Sequence, residues 1–313
     1  MNAPPGRLYP PALAALLLGL ASIPLLAVAG VVAMVVGFRS LRHINASDGA
    51  LRGARLAVVG MALGALGTAA TFVGVLAIVL VRMQMANQRL EGVNHMRLIG
   101  IALAPKADTD DPFPPATRDP KPLAGDRRLS WMADLLPLLA REKRVHARYE
   151  TISEQLVRDK AWDDPANTKA AAMPIRLYQA PAHPAYDPLG SAVTHFVGIG
   201  GVGADAVNLK REDPRAGMFG HDRGVRPKEI TRGLSYTLHV LETAHDNGPW
   251  IAGGFPTARG IDAGIERLIG PGAPFGGINP SHVQALWVDG SVRAIREGTP
   301  GEVVRGHAMF REP

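Results

Sequence analysis

Three groups of residues have types and spacings that could do chemistry. His239, Glu242 and His245 are metal-ligand types at spacings of three. Zincin-type chemistry needs two His at i and i+4 of a helix with Glu beside the first. Here the two His fall about 120° apart on a helix, and on a strand Glu242 faces away from both. The spacing therefore predicts a scattered surface set. Gly198-Ile-Gly200-Gly201-Val-Gly203 fits the dinucleotide fingerprint, in which glycines let a backbone approach a pyrophosphate at a helix N-terminus. The residues downstream do not suit that role. Ala204–Lys210 is barely two turns before Glu212, Asp213 and Pro214, and no second strand ending in an acidic ribose ligand comes after it. The segment reads as a glycine-rich loop after a strand Val193–Val197. The third group, Asp108, Asp110 and Asp111, sits among prolines that would not preorganise a cation site, so it reads as a solvated spacer.

The sequence contains no cysteine, which removes disulfides, thiolate metal sites and a cysteine nucleophile. Ser235 and Ser291 lie in a strand and after a turn, not in a nucleophile elbow. The residues thus predict a non-catalytic protein with no metal and no cofactor. The alternatives are a metal-dependent hydrolase on His239, Glu242 and His245, a nucleotide-binding enzyme on Gly198–Gly203, or a carbohydrate-binding module using Trp250 and Trp287 as exposed platforms, although both rings read first as head core.

The elements that must position these residues begin with two charge-free runs, Ala12–Phe38 and Leu56–Val81. The second corresponds to about 39 Å of helix against a hydrocarbon core of about 30 Å, so both runs are expected to cross a membrane as a hairpin. A cleaved signal peptide ending at Ala27-Val28-Ala29, with Arg7 as its basic flank, is the rival for the first run. Gly60, Gly64, Gly67 and Gly74 would let the second helix pack closely on the first, with self-association as the other use of that face. Residues 1–100 hold eight Arg against Asp48 and Glu91, whereas 101–313 hold 26 basic and 26 acidic residues. The excess of +6 therefore flanks the apolar runs, and the remainder carries no net attraction for nucleic acid. Arg39, Arg42, Arg52 and Arg55 oppose only Asp48 in the loop between the runs. Positive-inside counting puts that loop in the cytoplasm, against Arg7, Arg82, Arg89 and Arg97 on the other side.

The chain divides on this reading into a membrane hairpin (1–81), a stalk helix continuing the second span (82–104), a linker with six prolines (105–126) and an α+β head (127–313). Ser130–Tyr149 reads as an amphipathic helix with Trp131, Leu135 and Leu139 on one side. Strands are expected at Ile175–Gln179, Val193–Val197, Ser235–Leu241, Val283–Val288 and Ser291–Ile295, forming an antiparallel sheet. Asp289-Gly290 predicts a two-residue hairpin turn with positive φ at both positions.

Several segments in order resemble a pilin-like (pseudopilin-like) family of planctomycete type, of unknown function, with a His, nine residues, Asp-Gly signature. Asn94–Leu103 resembles the end of its N-terminal helix, Phe113-Pro-Pro115 follows as in the family, and Ser130–Pro137, which carries Trp131, resembles its second helix. His195–Gly203, with Gly198 and Gly203, and Gly217–Gly220 resemble its mid-domain glycine segments. Ile230–Thr237, with Ser235 and Thr237, then Glu242 and Gly248-Pro-Trp250, and finally Phe275–Gly277 through Asp289-Gly290-Ser291 complete the match. The N-terminal pair of runs, with Gly53–Gly64, resembles a small bacterial two-helix membrane domain. The resemblance implies a long helix under an antiparallel sheet, exported and anchored in the cytoplasmic membrane with the head outside. The bilayer and other envelope proteins are the implied partners, and no established activity comes with it. Asn279 stands where the signature has His. Arg232 and Tyr236 replace the usual Asp and Asn, and Gln179-Ala-Pro181 replaces a Cys-Pro segment. A pilin-type leader, with Glu five residues into the mature helix, is not matched either, so a permanently anchored relative is expected.

Overall fold

The computed structural model describes residues 10–46, 53–105, 110–117, 122–140, 146–181, 183–277 and 279–312. Arg7, Asp48, Arg52 and Asp108 lie outside them. The chain forms two compact units, Met1–Ala86 and Asn87–Pro313.

The first unit holds helix α1 (Pro10–Asn45) and the beginning of α2 (Ala54–Leu103). Both are long and apolar enough to cross a membrane. Apolar side chains point outward around α2, Leu56, Leu63 and Phe72 being 65–79 % exposed. The two helices touch where side chains are missing: a Cβ on Gly64 would come within 2.6 Å of the Gly30 carbonyl oxygen, and Met61 packs over Gly37. Gly60, Gly67 and Gly74 meet nothing within 4 Å, so of that glycine series only Gly64 serves the contact with α1.

In the second unit α2 continues to Leu103 and buries Met96, Ile99 and Leu103 in the core. The segment expected to be a stalk is thus, from Asn87 onward, the head's own core helix. Residues 110–116 of the proline-rich stretch carry no helix or strand but are not free, because Phe113 is buried and its N–H donates to the Val225 carbonyl (2.8 Å). Three short helices come next, α3 (Trp131–Leu139), α4 (His146–Glu154) and α5 (Thr168–Ala171). The single helix expected over Ser130–Tyr149 is therefore two. Ser130 enters α3 without capping it; its hydroxyl donates to the Trp250 carbonyl (2.6 Å).

The strands are β1 (Phe196–Val202), β2 (Leu238–Glu242), β3 (Ala258–Ile261), β4 (His282–Trp287) and β5 (Val292–Arg296), and helix α6 (Gly301–Ala308) closes the chain. They form one sheet in the order β3-β1-β2-β4-β5. All neighbours are antiparallel except β1 and β3, so the sheet is mixed rather than antiparallel throughout. The cause is the path after β2. It ends beside the start of β1, runs past Ala192–Thr194, where the Trp250 N–H donates to the Ala192 carbonyl and the Thr194 N–H to the Gly248 carbonyl, and enters β3 from the end where β1 began. One face of the sheet packs Phe196, Val240 and Leu286 against Met96, Ile99 and Trp131; the other packs Val197, Ile199 and Leu241 against Leu268, Val304 and Ala308.

One expected strand is absent and two begin later than expected: Leu234–Tyr236 is a 3-10 turn, so the strand expected at Ser235–Leu241 starts at Leu238. Ile175–Gln179 holds a 3-10 turn, Arg176–Tyr178, whose Tyr178 hydroxyl donates to the Met132 carbonyl (2.6 Å). The strand expected at Val193–Val197 starts at Phe196 and runs through Gly198, Gly200 and Gly201, which form part of the strand, with Gly203 in the bend just after it. At Asp289-Gly290 only Gly290 has positive φ (+81°). Its N–H reaches the Trp287 carbonyl, and the Trp287 N–H reaches Ser291. That is a three-residue loop with its glycine at the left-handed position, not a two-residue turn.

Candidate functional site

The residues singled out by type and spacing fall in three places. The first is the glycine strand. Phe219 lies on Gly198, where a Cβ would sit 2.5 Å from its ring, and Val207 and the Arg215 backbone fill the space over Gly200 and Gly201. The N–H groups of Gly198 and Gly203 donate to Thr257 and Ile261 across to β3. Buried Arg223 donates to the carbonyls of Gly200 (2.6 Å), Ala206 (3.0 Å), Phe219 (3.0 Å) and Leu209, and burial pushes its guanidinium down to about 10. A 3-10 turn, Ala206–Asn208, stands in place of a helix N-terminus. The glycines make room for protein, and a pyrophosphate would not find the space. Trp131 and Trp250 are fully buried beside them, donating to the carbonyls of Thr257 (2.8 Å) and Met173 (3.0 Å). Trp287 is buried as well, under Arg293 at 4.0 Å. Trp250 and Trp287 are thus core residues, the reading favoured for such large rings over an exposed carbohydrate platform.

The second place is a corner that joins two motif segments far apart in sequence. The Asp289 carboxylate accepts from the Ser291 N–H (2.9 Å) and hydroxyl (2.6 Å). The Asp289 N–H donates to Leu234, the Val288 N–H to Thr237, and the Thr237 hydroxyl to Gly233 (3.0 Å). Arg293 donates to the Ser235 carbonyl. Partial burial alone would raise the Asp289 carboxyl; hydrogen bonds from Ser291 and Ser235 and the Arg293 charge outweigh it and hold the group below its ordinary value. Asp289, Gly290, Ser291, Ser235 and Thr237 are one interlocked turn.

The third place is a cleft around Glu242. A strand alternates sides, which would put His239 and Glu242 on opposite faces. The register between β2 and β4 shifts between Leu238 and Val240, however, and His239 is the extra residue of that bulge. Both side chains consequently lie on the face of the sheet that carries Phe196. His239 is spent there on packing, edge-on to Phe113 (5.2 Å) and tilted on Phe219 (5.1 Å), and burial pushes it down to about 3. Among the described residues no three His, Asp or Glu side chains are arranged to hold a metal ion.

Buried Glu242 accepts from the Gln284 N–H (3.1 Å), and Gly277 passes so close that a Cβ would sit 2.5 Å from the carboxyl carbon. Gln88, Arg89, Pro181, Asn279, His282 and Gln284 complete a water-sized pocket of about 20 Å³. Asn279 itself turns its oxygen onto the Ser281 N–H (3.0 Å) and hydroxyl (2.8 Å). Across Pro181 opens a groove of about 430 Å³ whose wall includes Glu91, His95, Arg176, Gln179 and His183. Glu91 bridges Arg176 (2.6 Å) and His95 (3.6 Å), and His95 Nδ1 meets the Gln179 carbonyl (3.0 Å). His195 Nδ1 accepts from the Ala180 N–H (3.2 Å) while its ring lies tilted against His183 at 5.0 Å. Burial, with the neighbouring His183, pushes His195 down to about 4. This cleft offers amides, the carboxylates of Glu91 and Glu242, the guanidinium groups of Arg89 and Arg176 and imidazoles that burial favours in the neutral form, a set that binds by hydrogen bonds. Sequence spacing gave no sign of His195 or Arg223, because their partners are backbone groups brought near only by the fold.

The residues that line both sides of Pro181 come from α2, β1, β2, β4 and the loops between them, most of which one family description spans. A family model described as protein of unknown function (DUF1559) matches residues 86–266, more than half of the chain. The chain belongs to the DUF1559 family. The DUF1559 match takes in the head portion of α2, the buried Trp131 and Trp250, the glycine strand and Glu242, and stops before Gly277, Asn279, Trp287 and the Asp289–Ser291 turn. No curated protein and no solved structure matches the chain.

Proposed function

We propose that the protein is a permanently anchored component of the cell envelope. On this reading two helices cross the cytoplasmic membrane and a pilin-like head is displayed on the extracytoplasmic side, acting through protein contacts and not through catalysis. The observation that carries the reading is the contrast within α2. Its first half exposes Leu56, Leu63 and Phe72 all round, and its last turns bury Met96, Ile99 and Leu103 in a charge-balanced head. A helix apolar on every side is stable in lipid and costly in water. The pilin-like layout is supported by the way the end of α2 lies on the sheet, with Gly100 against Leu286. The structural role is supported by where the chemistry-bearing residues go: His239, Trp131, Trp250 and Gly198 into the core, Asp289 and Ser291 into a turn lock. Other envelope proteins are the proposed partners, with self-association through the open glycine face as the variant of that role. Alkaline carbonate extraction of membranes from cells making the full chain tests the anchor. Retention in the pellet is expected; release into the supernatant would overturn it.

A further inference from the structure

Beside the Gly30–Gly64 contact the two helices of the first unit leave an open groove of about 660 Å³, walled by Met34, Val35, Phe38, Val58, Met61 and neighbouring alanines. Its one charged wall residue is Arg39. Arg39 directly follows the apolar run of α1, and Arg55 directly precedes that of α2. The two ends are level, since a Cβ on Gly37 would sit 3.0 Å from the Ala57 carbonyl oxygen. Arg42 and His43 lie just beyond, and residues 10–46 and 53–86 contain no Asp or Glu. An apolar trough that runs into a guanidinium with no acidic side chain among the described residues of this unit fits a molecule with a hydrocarbon tail and an anionic head.

We propose that this groove binds one anionic phospholipid, its acyl chain on the Met34, Phe38, Val58 and Met61 wall and its phosphate on Arg39. The proposal rests on the membrane reading above, because only there is the groove supplied with lipid at the depth of its arginine. Zwitterionic lipid presents the same tail and phosphate but adds a cation, which the arginine-only rim disfavours. One Arg near an anionic headgroup is worth about a five-fold preference.

The test is native mass spectrometry of the full chain, purified in neutral detergent and offered equal amounts of phosphatidylglycerol and phosphatidylcholine. One phosphatidylglycerol per chain is expected, retained about five-fold over phosphatidylcholine. Arg39→Gln should bring the ratio to about one, while Arg82→Gln, outside the groove, leaves it unchanged. Tryptophan fluorescence checks that each variant keeps a folded head. Equal retention of the two lipids, a preference that survives Arg39→Gln, or a lipid-free dimer held through this face would each overturn the proposal. A chain that resists carbonate extraction yet shows no lipid preference refutes the groove alone. A chain released by carbonate removes the anchor beneath it.

Discussion

Lowering the pH from 7 to 5 should weaken the head through two histidines that the fold keeps neutral. His195 and His239 have an ordinary value of 6.5 and are pushed by burial to about 4 and about 3. Below pH 6.5 the unfolded chain takes up protons that the native state refuses. Stability is therefore full above 6.5 and is lost as pH falls toward the native values. Each unit in that window costs about 1.4 kcal/mol per group, so at pH 5 each histidine removes about 2 kcal/mol. The total of about 4 kcal/mol is a large share of a typical 5–15 kcal/mol. His183, His221 and His282 are lowered too and act in the same direction. Asp205 and Asp289 lie below an ordinary value of 3.8 and titrate under this window. The assay is urea unfolding of the full chain in neutral detergent, followed by tryptophan fluorescence, because all four tryptophans (131, 162, 250 and 287) lie in the second unit. The midpoint should drop between pH 7 and 5, and His195→Gln with His239→Leu should remove most of the drop. A midpoint that is flat across this range, or a drop undiminished in the double variant, would refute the reasoning.

Arg223→Met, which leaves the carbonyls of Gly200, Ala206 and Phe219 without their buried donor, should cost about 3 kcal/mol in the same unfolding assay. Gly277→Ala drives a methyl group into the Glu242 carboxylate and should cost about 1–3 kcal/mol. Gly264→Ala, whose nearest neighbour is a side-chain oxygen 3.4 Å away, should leave the midpoint within error. Asp289→Ala should weaken the corner it shares with Ser235 and Ser291, raising amide exchange at Leu234–Thr237 and Val288–Ser291 without altering exchange in β1.

Much of this architecture is legible in the sequence where side-chain type reports burial directly. The uninterrupted apolar runs give α1 and the first half of α2, and alternation gives β4 and β5 within a residue. What escapes is what tertiary packing decides. β1 reads Phe-Val-Gly-Ile-Gly-Gly-Val, and glycine has poor intrinsic strand preference. Here it is favoured because Phe219, Val207 and the Arg215 backbone fill the places its side chains would take. The four-residue β3, with one glycine, is too short to show a period. The bulge at His239 has no signature of its own, so a strictly alternating strand misplaces Glu242 relative to that histidine. The candidate site was legible as scattered residues, since Glu242, Gly277 and Asn279 all stood out. Their meeting with Arg89 and Pro181 depends on α2 running on into the head, which the proline-rich stretch after it disguises as a stalk.

The central claim is that the head stands outside the cytoplasmic membrane on a two-helix anchor. Its most direct test is protease accessibility of a C-terminal tag on the full chain, with the outer envelope opened and the cytoplasmic membrane intact. The account predicts cleavage of the tag under those conditions, with a cytoplasmic marker protein untouched. A tag protected until the cytoplasmic membrane itself is breached would place the head inside and contradict the account.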